Sequence, residues 1–234
     1  MTLLDGARPL ADAWSGPASG WYGVHVAVVT DNQDPSSQGR VKVKLPWSPD
    51  SGSESYETWA RVATLMAGPD RGTWFVPDPD DEVLVAFEAG EPSRPVVLGS
   101  LWNGSDSPPE SMGQDNPKRT ILTKAGVRIT LDDSQGSVSL LLETPGGQRV
   151  HLEDNPATVT AEDANGNLVT MAAAGVTVVA AVEVKIQAIT AKVEAGMVTV
   201  DAALSKFSGV VQADTVLTNT IVAATYMPGA GNIW

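Results

Sequence analysis

The chain has 234 residues, no cysteine and a formal net charge of −13. Without cysteine it can form neither a disulfide nor a thiolate metal site, and without a basic run it lacks the clustered lysine and arginine with which nucleic-acid binders neutralise phosphates. The first twenty residues lack the apolar core of a signal peptide, and the longest apolar run, 172–182, is too short to span a bilayer. We therefore expect a protein that folds in the cytoplasm and binds no nucleic acid.

Residues 1–19 mix glycine, proline, alanine and aspartate without periodicity, which predicts an N-terminal arm. Five short segments with alternating apolar residues then follow within 20–103, and Gly/Pro-rich turns separate them. On the first of them Val24, Val26 and Val28 alternate. Such spacing predicts a small five-stranded β-barrel. The strands are expected at 24–28, 41–45, 59–63, 82–88 and 95–101, and a turn-rich linker is expected at 104–117.

A repeat begins after the linker. Gly126, Gly147 and Gly166 each open an alternating segment, at a spacing of about twenty residues that fits two strands and two turns per repeat. The alternation continues from 182 to 188 and from 191 to 195. The β-branched residues and strict alternation favour strands over 172–204, although the alanine content leaves a helix as the alternative.

The apolar side chains of this repeat share one narrow face. Burying one of them stabilises by roughly 1.5–3 kcal/mol, whereas ordering the backbone costs about 1–2 kcal/mol per residue. No second layer in the sequence can cover this face, so another copy of the chain is the expected cover, in a number that periodicity does not fix. The expected core residues are Val127, Ile129, Leu131, Val138, Leu140, Leu142, Val150, Leu152, Val182, Val184 and Ile186.

Five segments carry a family resemblance: GRVKVKLPW at 39–47, WARVA at 59–63, GTWFVP at 72–77, DEVLVAFEAG at 81–90 and RPVVLGSLWN at 94–103. In this order they resemble the OB domain of the phage baseplate assembly protein V family and of type VI secretion spike proteins. Residues 118–133 resemble the start of that family's triple-stranded β-helix. The resemblance implies an all-β homotrimer with an N-terminal OB-fold barrel, followed by an intertwined triple-stranded β-helix over 118–225 and a tip at 226–234.

The function implied is that of the central, membrane-piercing spike of a contractile phage tail or tail-like injection system. Such a spike acts mechanically, without enzymatic activity, metal or cofactor, in a virion or phage-tail-like particle assembled in the bacterial cytoplasm. Its implied partners are a trimeric baseplate hub, here a separate chain, a small PAAR-like tip protein, and transiently the envelope of the target cell. Ile233 and Trp234 are expected either to contact the tip protein or to plug the trimer axis.

The first rival function is that of a β-helical polysaccharide-degrading enzyme. Its support is that pairs of acidic residues recur at the repeat spacing, at 132–133 and 153–154. Both pairs lie at expected strand ends, where turns favour acidic residues in any case. A second acidic cluster, at 78–82, is expected to be a turn rather than a glycosidase carboxylate pair. His25 and His151 lie in alternating segments without a nearby nucleophile motif, so both are expected to be structural.

The second rival function is that of an OB-fold nucleic-acid-binding module, in which tryptophans would stack on bases. The acidic surroundings argue against base stacking. We therefore expect core packing for the four tryptophans of the barrel region that would have to do it, Trp47, Trp59, Trp74 and Trp102.

Overall fold

The computed structural model describes residues 20–48 and 56–225. The arm at 1–19, the tip at 226–234 and the two expected tip residues Ile233 and Trp234 therefore lie outside the described residues. Two compact units divide the chain, Met1–Glu183 and Val184–Trp234. Within the described residues, all regular structure is β apart from one short 3₁₀ turn at Glu88–Gly90, so the predicted all-β class is confirmed.

Five strands of the first unit close into a barrel, as the sequence predicts, and the structure shows their order to be β1-β2-β3-β7-β6. β3 and β7 pair in parallel and the remaining neighbours are antiparallel. A small hairpin, β4–β5, stands outside the barrel. The strands are β1 (Val24–Asp31), β2 (Val41–Leu45), β3 (Tyr56–Val62), β4 (Ala67–Gly68), β5 (Arg71–Gly72), β6 (Glu82–Phe87) and β7 (Pro95–Ser100).

The barrel core is complete within one chain. The inward-facing residues have no exposed surface, apart from Phe87 at 7%, because each barrel strand turns alternate side chains inwards. Trp21 closes one end of the core, with its ring edge-on to Phe87 and Tyr56. The core residues are Ala27, Val29, Val41, Val43, Leu45, Ala60, Val83, Val85, Phe87 and Val97.

On β1 the inward face is not the valine face. Val24 and Val26 are 56% and 42% exposed, whereas Ala27 and Val29 are buried. The cause is pairing with β6, which sets Ala27 opposite the buried Val83. Directly opposite residues point to the same side of a sheet, so the partner strand decides which face of β1 lies inside.

A seven-stranded antiparallel sheet follows the linker, and each strand pairs with its neighbour in sequence. Glycines with φ near +90° open every second strand, at Gly126, Gly147 and Gly166. At each of them the glycine N–H donates to the carbonyl three residues earlier, at 2.9–3.4 Å. The repeat seen in the sequence is therefore a repeated three-residue hairpin loop with glycine at its left-handed position. The strands are β8 (Lys118–Leu122), β9 (Arg128–Asp132), β10 (Ser139–Glu143), β11 (Arg149–Asp154), β12 (Ala157–Glu162), β13 (Leu168–Ala172) and β14 (Gly175–Val179).

Residues 184–225, the described part of the second unit, contain no hydrogen-bonded strand and no helix. The helical alternative for 172–204 is therefore wrong. The strands expected at 182–188 and 191–195 are also absent from the single chain, because a strand exists only where another strand satisfies its backbone groups. No helix in the described ranges is long and apolar enough to cross a membrane.

Candidate interaction surface

The two faces of the seven-stranded sheet differ in chemistry. Its in-register pairing aligns side chains into rows that run across all seven strands. On one face, two neighbouring rows are apolar except for Arg119 at the β8 end. We call this face the apolar face; its rows are Leu131, Leu140, Leu152, Val159, Met171 and Val176, and Ile121, Ile129, Leu142, Val150, Ala161, Val169 and Val178.

Nothing in the described residues covers the apolar face. No side chain on it is buried; Leu142 is 38% exposed, Leu152 39% and Val176 68%. Adjacent strands lie about 4.8 Å apart, so seven strands carry the two rows across about 29 Å. Contiguous exposed apolar patches of this kind mark interaction sites in soluble proteins.

Eight of the eleven residues predicted to form an oligomer core lie on this one face. Six belong to the two rows, and Val127 and Val138 share their alternation just ahead of β9 and β10. The remaining three, Val182, Val184 and Ile186, follow β14 and are 96%, 59% and 79% exposed. The sheet thus gathers most of the predicted set and leaves the last three beyond its end.

Seven further residues of the apolar face are missing from the predicted set. They belong to β8, β12, β13 and β14, and a signal for most of them was present, because the repeat opened by Gly166 continues the alternation of the two repeats before it. The missing residues are Ile121, Val159, Ala161, Val169, Met171, Val176 and Val178.

The opposite face of the sheet is polar and makes ion pairs of its own. Arg128 contacts Glu143 at 3.8 Å, Glu143 contacts Arg149 at 3.9 Å, and Arg149 contacts Glu162 at 3.2 Å. Beside this charged row lies a row that is threonine on five of the seven strands and Leu141 and His151 on the other two. Thr130 in this row is the buried polar side chain of the described sheet. A face that satisfies its own charges is suited to water, so the apolar face is the one that requires a cover.

The linker is fastened to the first hairpin of the sheet. Glu110 accepts hydrogen bonds from the Thr120 hydroxyl at 2.7 Å and the Arg128 guanidinium at 2.6 Å. These contacts, the Thr120 bond first, hold the pKa of Glu110 below its usual range. Asn103, the residue just before the linker, donates to Glu82 on β6 at 3.2 Å and to Asp106 of the linker at 3.0 Å. The linker is therefore bonded to both the barrel and the sheet.

Three of the four tryptophans expected in the barrel core are instead exposed, among them Trp47 at 41%. Trp74 and Trp102 are 77% and 69% exposed, because each lies on a loop outside the closed strands. Trp47 stacks on His25 and donates to the Val26 carbonyl at 2.9 Å, and Trp59 is half-buried beneath the Arg40 guanidinium. None of the four belongs to the core cluster or to the residues packed against it, so the prediction of core packing is wrong.

The acidic cluster at 78–82 forms a turn, as the sequence predicts. Asp78 and Asp81 close it, with the Asp78 N–H donating to an Asp81 carboxylate oxygen at 2.9 Å, and Lys124 reaches Asp78 at 3.3 Å. The acids at 132 and 154 end β9 and β11. Within 20–48 and 56–225, no three histidine or acidic side chains are grouped so that they could hold a metal ion. The site that the fold builds is a surface for contact.

Comparison with known proteins agrees with the barrel. Residues 25–102 match the family model described as the type VI secretion system/phage-baseplate injector OB domain. The matched range contains all seven barrel-region strands except the first residue of β1.

Several curated proteins are similar over a longer range. The type VI secretion system spike protein VgrG3 of Vibrio cholerae is 31% identical over 110 residues, which are 44% of this chain and 11% of that protein. The spike protein VgrG1b of Pseudomonas aeruginosa is 27% identical over 126 residues, 50% of this chain and 17% of that protein. The actin cross-linking toxin VgrG1 of Vibrio cholerae is 32% identical over 87 residues, 37% of this chain and 8% of that protein. The chain thus spans less than a fifth of the length of each of these relatives.

Proposed function

We propose, from the match of residues 25–102 to the type VI secretion system/phage-baseplate injector OB domain, that the chain is the central spike of a contractile phage tail or phage-tail-like injection particle. Three copies would assemble around one axis and act mechanically, without catalysis or a cofactor. A trimeric hub at the end of the tail tube, a small tip protein and, transiently, the target envelope would be its partners.

The observation that carries this proposal is the apolar face. A barrel needs no second copy to complete its core, whereas the sheet has two apolar rows and no cover within the described residues. Three sheets that turned these faces inwards would enclose a shared core and leave the ion-paired faces in water. The number three follows from the resemblance of residues 118–133 to the start of the family's triple β-helix.

The second unit supports the proposal in another way. Its described residues expose one apolar side chain after another and make no strand pair in the single chain. In a trimer, hydrogen bonds between chains would satisfy these backbone groups and close the sheet edges. Strands would then form in residues 184–225 only when the chains assemble. The exposed residues are Val184, Ile186, Ile189, Val193, Met197, Val198, Val200, Leu204, Phe207, Val210, Val211, Val216, Leu217, Ile221 and Val222.

The proposed arrangement also explains how the protein could transmit force without enzymatic activity. Asn103 bonds to β6 and Glu110 bonds to β9. Through these bonds the linker would transmit an axial force from the barrel to the sheet. An interwound stalk would present no free sheet edges along its length, and its chains could not separate without unwinding.

The test is the solution mass of the full chain, measured by light scattering after size exclusion at several protein concentrations. The unaltered chain is expected at three times the mass of one chain, independently of concentration. Leu142→Asp would place a charge in the shared core and is expected to abolish the trimer. Leu141→Asp is the matched control, because Leu141 lies on the same strand but on the polar face, between Thr130 and His151.

The control is expected to keep the mass of the trimer. A concentration-independent monomer for the unaltered chain would overturn the proposal. So would equal behaviour of the two variants, because the apolar face would then not be the contact surface.

A further inference from the structure

The outer surface of the barrel has two unlike halves. On β2 and β3 most outward side chains are charged, and Lys42 pairs with Glu57 at 2.9 Å. On β1 and β6 the outward side chains are apolar, and in-register pairing aligns them, with Val26 opposite Leu84. We call this second half the apolar wall; it consists of Val24, Val26 and Val28 on β1, Leu84 and Ala86 on β6, and Val96 on β7.

The apolar wall is open to water and small. Val24 and Val26 are 56% and 42% exposed, and its other four residues are half-buried. At the usual strand spacing and rise, three strands and the residues 24–28 make it about 10 Å wide and about 13 Å tall. Even with the reach of its side chains, the wall is far smaller than the about 800 Å² per partner that a stable interface between folded proteins buries. A short segment of chain is therefore the cover that fits it.

The N-terminal arm joins the barrel beside this wall. The backbone N–H of Trp21 donates to the Gly90 carbonyl at 2.8 Å, just beyond the end of β6. The Trp21 ring packs edge-on against Phe87, the last residue of β6, at 5.0 Å between centroids. These contacts fix the chain at the end of the wall where β1 begins and β6 ends. Residues 1–19, which lie outside the described residues, continue from this point.

The arm has large apolar side chains within reach of the wall. Leu10 and Trp14 precede Trp21, and Asp12 is the only charged residue in 9–20. An extended chain spans about 3.3–3.6 Å per residue, so Trp14 can lie up to about 24 Å from Trp21. That distance exceeds the height of the wall, so Trp14 can reach every residue of it.

The sequence between Trp14 and the barrel suits a reversal of the chain. To lie along β1, the arm must turn back where it joins the barrel. Residues 15–20 are serine, glycine, proline, alanine, serine and glycine, a composition typical of turns. At Gly20 the backbone passes so close to the Tyr22 ring that a Cβ would clash with it. The chain is therefore tightly folded at the point where the reversal is needed.

We propose that the apolar wall is the docking site of the N-terminal arm of the same chain, with Trp14 and Leu10 as the anchors. The contact lies within each chain, so the inference goes beyond the proposed function and does not depend on the number of copies. Because the arm is tethered next to the wall, its effective concentration there is on the order of millimolar, and a few apolar contacts are enough to hold it. The arm gives this half of the barrel an outer layer that the strands do not supply.

Paired cysteines test the contact, because the chain has no cysteine of its own. Ser15→Cys, next to the anchor Trp14, is combined with Val26→Cys or Leu84→Cys on the apolar wall, where cysteine remains a small apolar residue. The rate at which each disulfide forms within one chain is followed by mass spectrometry under mild oxidation. Ser15→Cys with Glu57→Cys is the matched control on the charged half. Glu57 adjoins Tyr56, whose ring lies 5.3 Å from that of Trp21, so it is also near the point where the arm joins.

At least one wall pair is expected to close about tenfold faster than the control, the factor that about 1.4 kcal/mol of docking free energy produces. Adding Trp14→Ser should lower that rate to the rate of the control, because the main anchor is lost. Equal rates for the wall and control pairs would overturn the inference, since an undocked arm meets both halves of the barrel alike. Disulfides between chains in place of those within one chain would overturn it too, because the arm would then cover a neighbouring barrel.

Discussion

The barrel and the sheet are built from the same kind of strand, but only the barrel is complete. In the barrel, five alternating strands close on themselves, and their inward residues have no exposed surface apart from Phe87 at 7%. In the sheet, seven strands with equally regular alternation leave every apolar residue at least partly exposed. The difference teaches that alternation tells which side of a strand is apolar, whereas closure or a partner decides whether that side is buried.

Truncating one apolar side chain in the barrel and one in the sheet should give the largest difference between the two regions, measured as the loss in free energy of unfolding. Leu45→Ala removes a wholly buried barrel side chain and is expected to cost about 2–5 kcal/mol at any protein concentration. Leu142→Ala should destabilise the sheet more strongly on dilution, because the proposed cover of the apolar face is a second copy. Guanidinium unfolding would be followed by tryptophan fluorescence for the barrel and by circular dichroism for the sheet, which contains no tryptophan.

Concentration dependence decides this test. If Leu142→Ala lowered the free energy of unfolding equally at all protein concentrations, the sheet would be complete in one chain. The proposed difference between the barrel and the sheet would then be wrong. Leu98→Ala is the control on the outside of the barrel, where Leu98 is 47% exposed and truncation should change stability by less than about 0.5 kcal/mol.

Acid should affect a turn in each region, over different pH ranges. Asp34 accepts from the Arg40 guanidinium at 2.7 Å and from backbone N–H groups, which hold its pKa far below the ordinary 3.8. In the sheet, hydrogen bonds from the side chain and backbone of Asn167 lower the pKa of Asp163 to about 2. Because both pKa values are depressed on folding, the stabilisation is fully present above pH 3.8 and is lost as the pH falls below it.

The stabilisation from ionised Asp163 should be almost entirely lost near pH 2, whereas that from Asp34 should continue to fall at lower pH. Thermal melting between pH 7 and pH 2 would check it, with Asp163→Asn and Asp34→Asn as the variants. Each is expected to lower the melting temperature at neutral pH and to flatten its fall in acid. An unchanged slope in either variant would show that its carboxylate is not the titrating group.

Turn geometry offers a smaller and more local test of the repeated hairpins. Gly147 has φ of +85°, and a Cβ built there would lie 3.2 Å from the Ala164 Cβ. Gly147→Ala is expected to destabilise the sheet by about 1–2 kcal/mol and to leave the barrel unchanged. Gly146→Ala is the adjacent control, since its Cβ would meet the flexible end of Gln148. Equal losses in the two variants, by circular dichroism, would contradict the requirement for a left-handed residue.

The smallest effect is expected from the ion pairs of the polar face. Arg149 is 47% exposed and contacts Glu162 at 3.2 Å, so solvent and salt screen the pair. A double-mutant cycle of Arg149→Ala and Glu162→Ala should give a coupling below about 1 kcal/mol that disappears in high salt. A coupling of several kcal/mol would mean that this face, too, is covered in the assembly.

The sequence was sufficient to predict those features of the fold that a few consecutive residues determine. The alternation of Val41, Val43 and Leu45 marks inward positions of β2, and all three are buried. The echo of Gly126 at Gly147 marks identical hairpin loops, because only a residue that tolerates positive φ suits that position. Such features depend on a few consecutive residues, so they can be read without knowing the rest of the fold.

Features that depend on distant residues were not predictable in the same way. The inward face of β1 is set by its register with β6, which the valines at 24, 26 and 28 do not encode. The exposure of Trp74 and Trp102 follows from the loops that carry them and not from their apolar character. The point at which in-chain pairing stops, after β14, also escaped sequence analysis, since the alternation passes through it unchanged.

The length of the seven-stranded sheet is set by the number of its glycine-opened hairpin repeats. Each repeat supplies two strands of the sheet, and adjacent strands are about 4.8 Å apart. Inserting or deleting one whole repeat would therefore lengthen or shorten the sheet by about 10 Å. Because strands would enter and leave in pairs, the antiparallel order and the apolar face would survive every such change. The length of the sheet could thus change in steps of one repeat while the barrel stays the same.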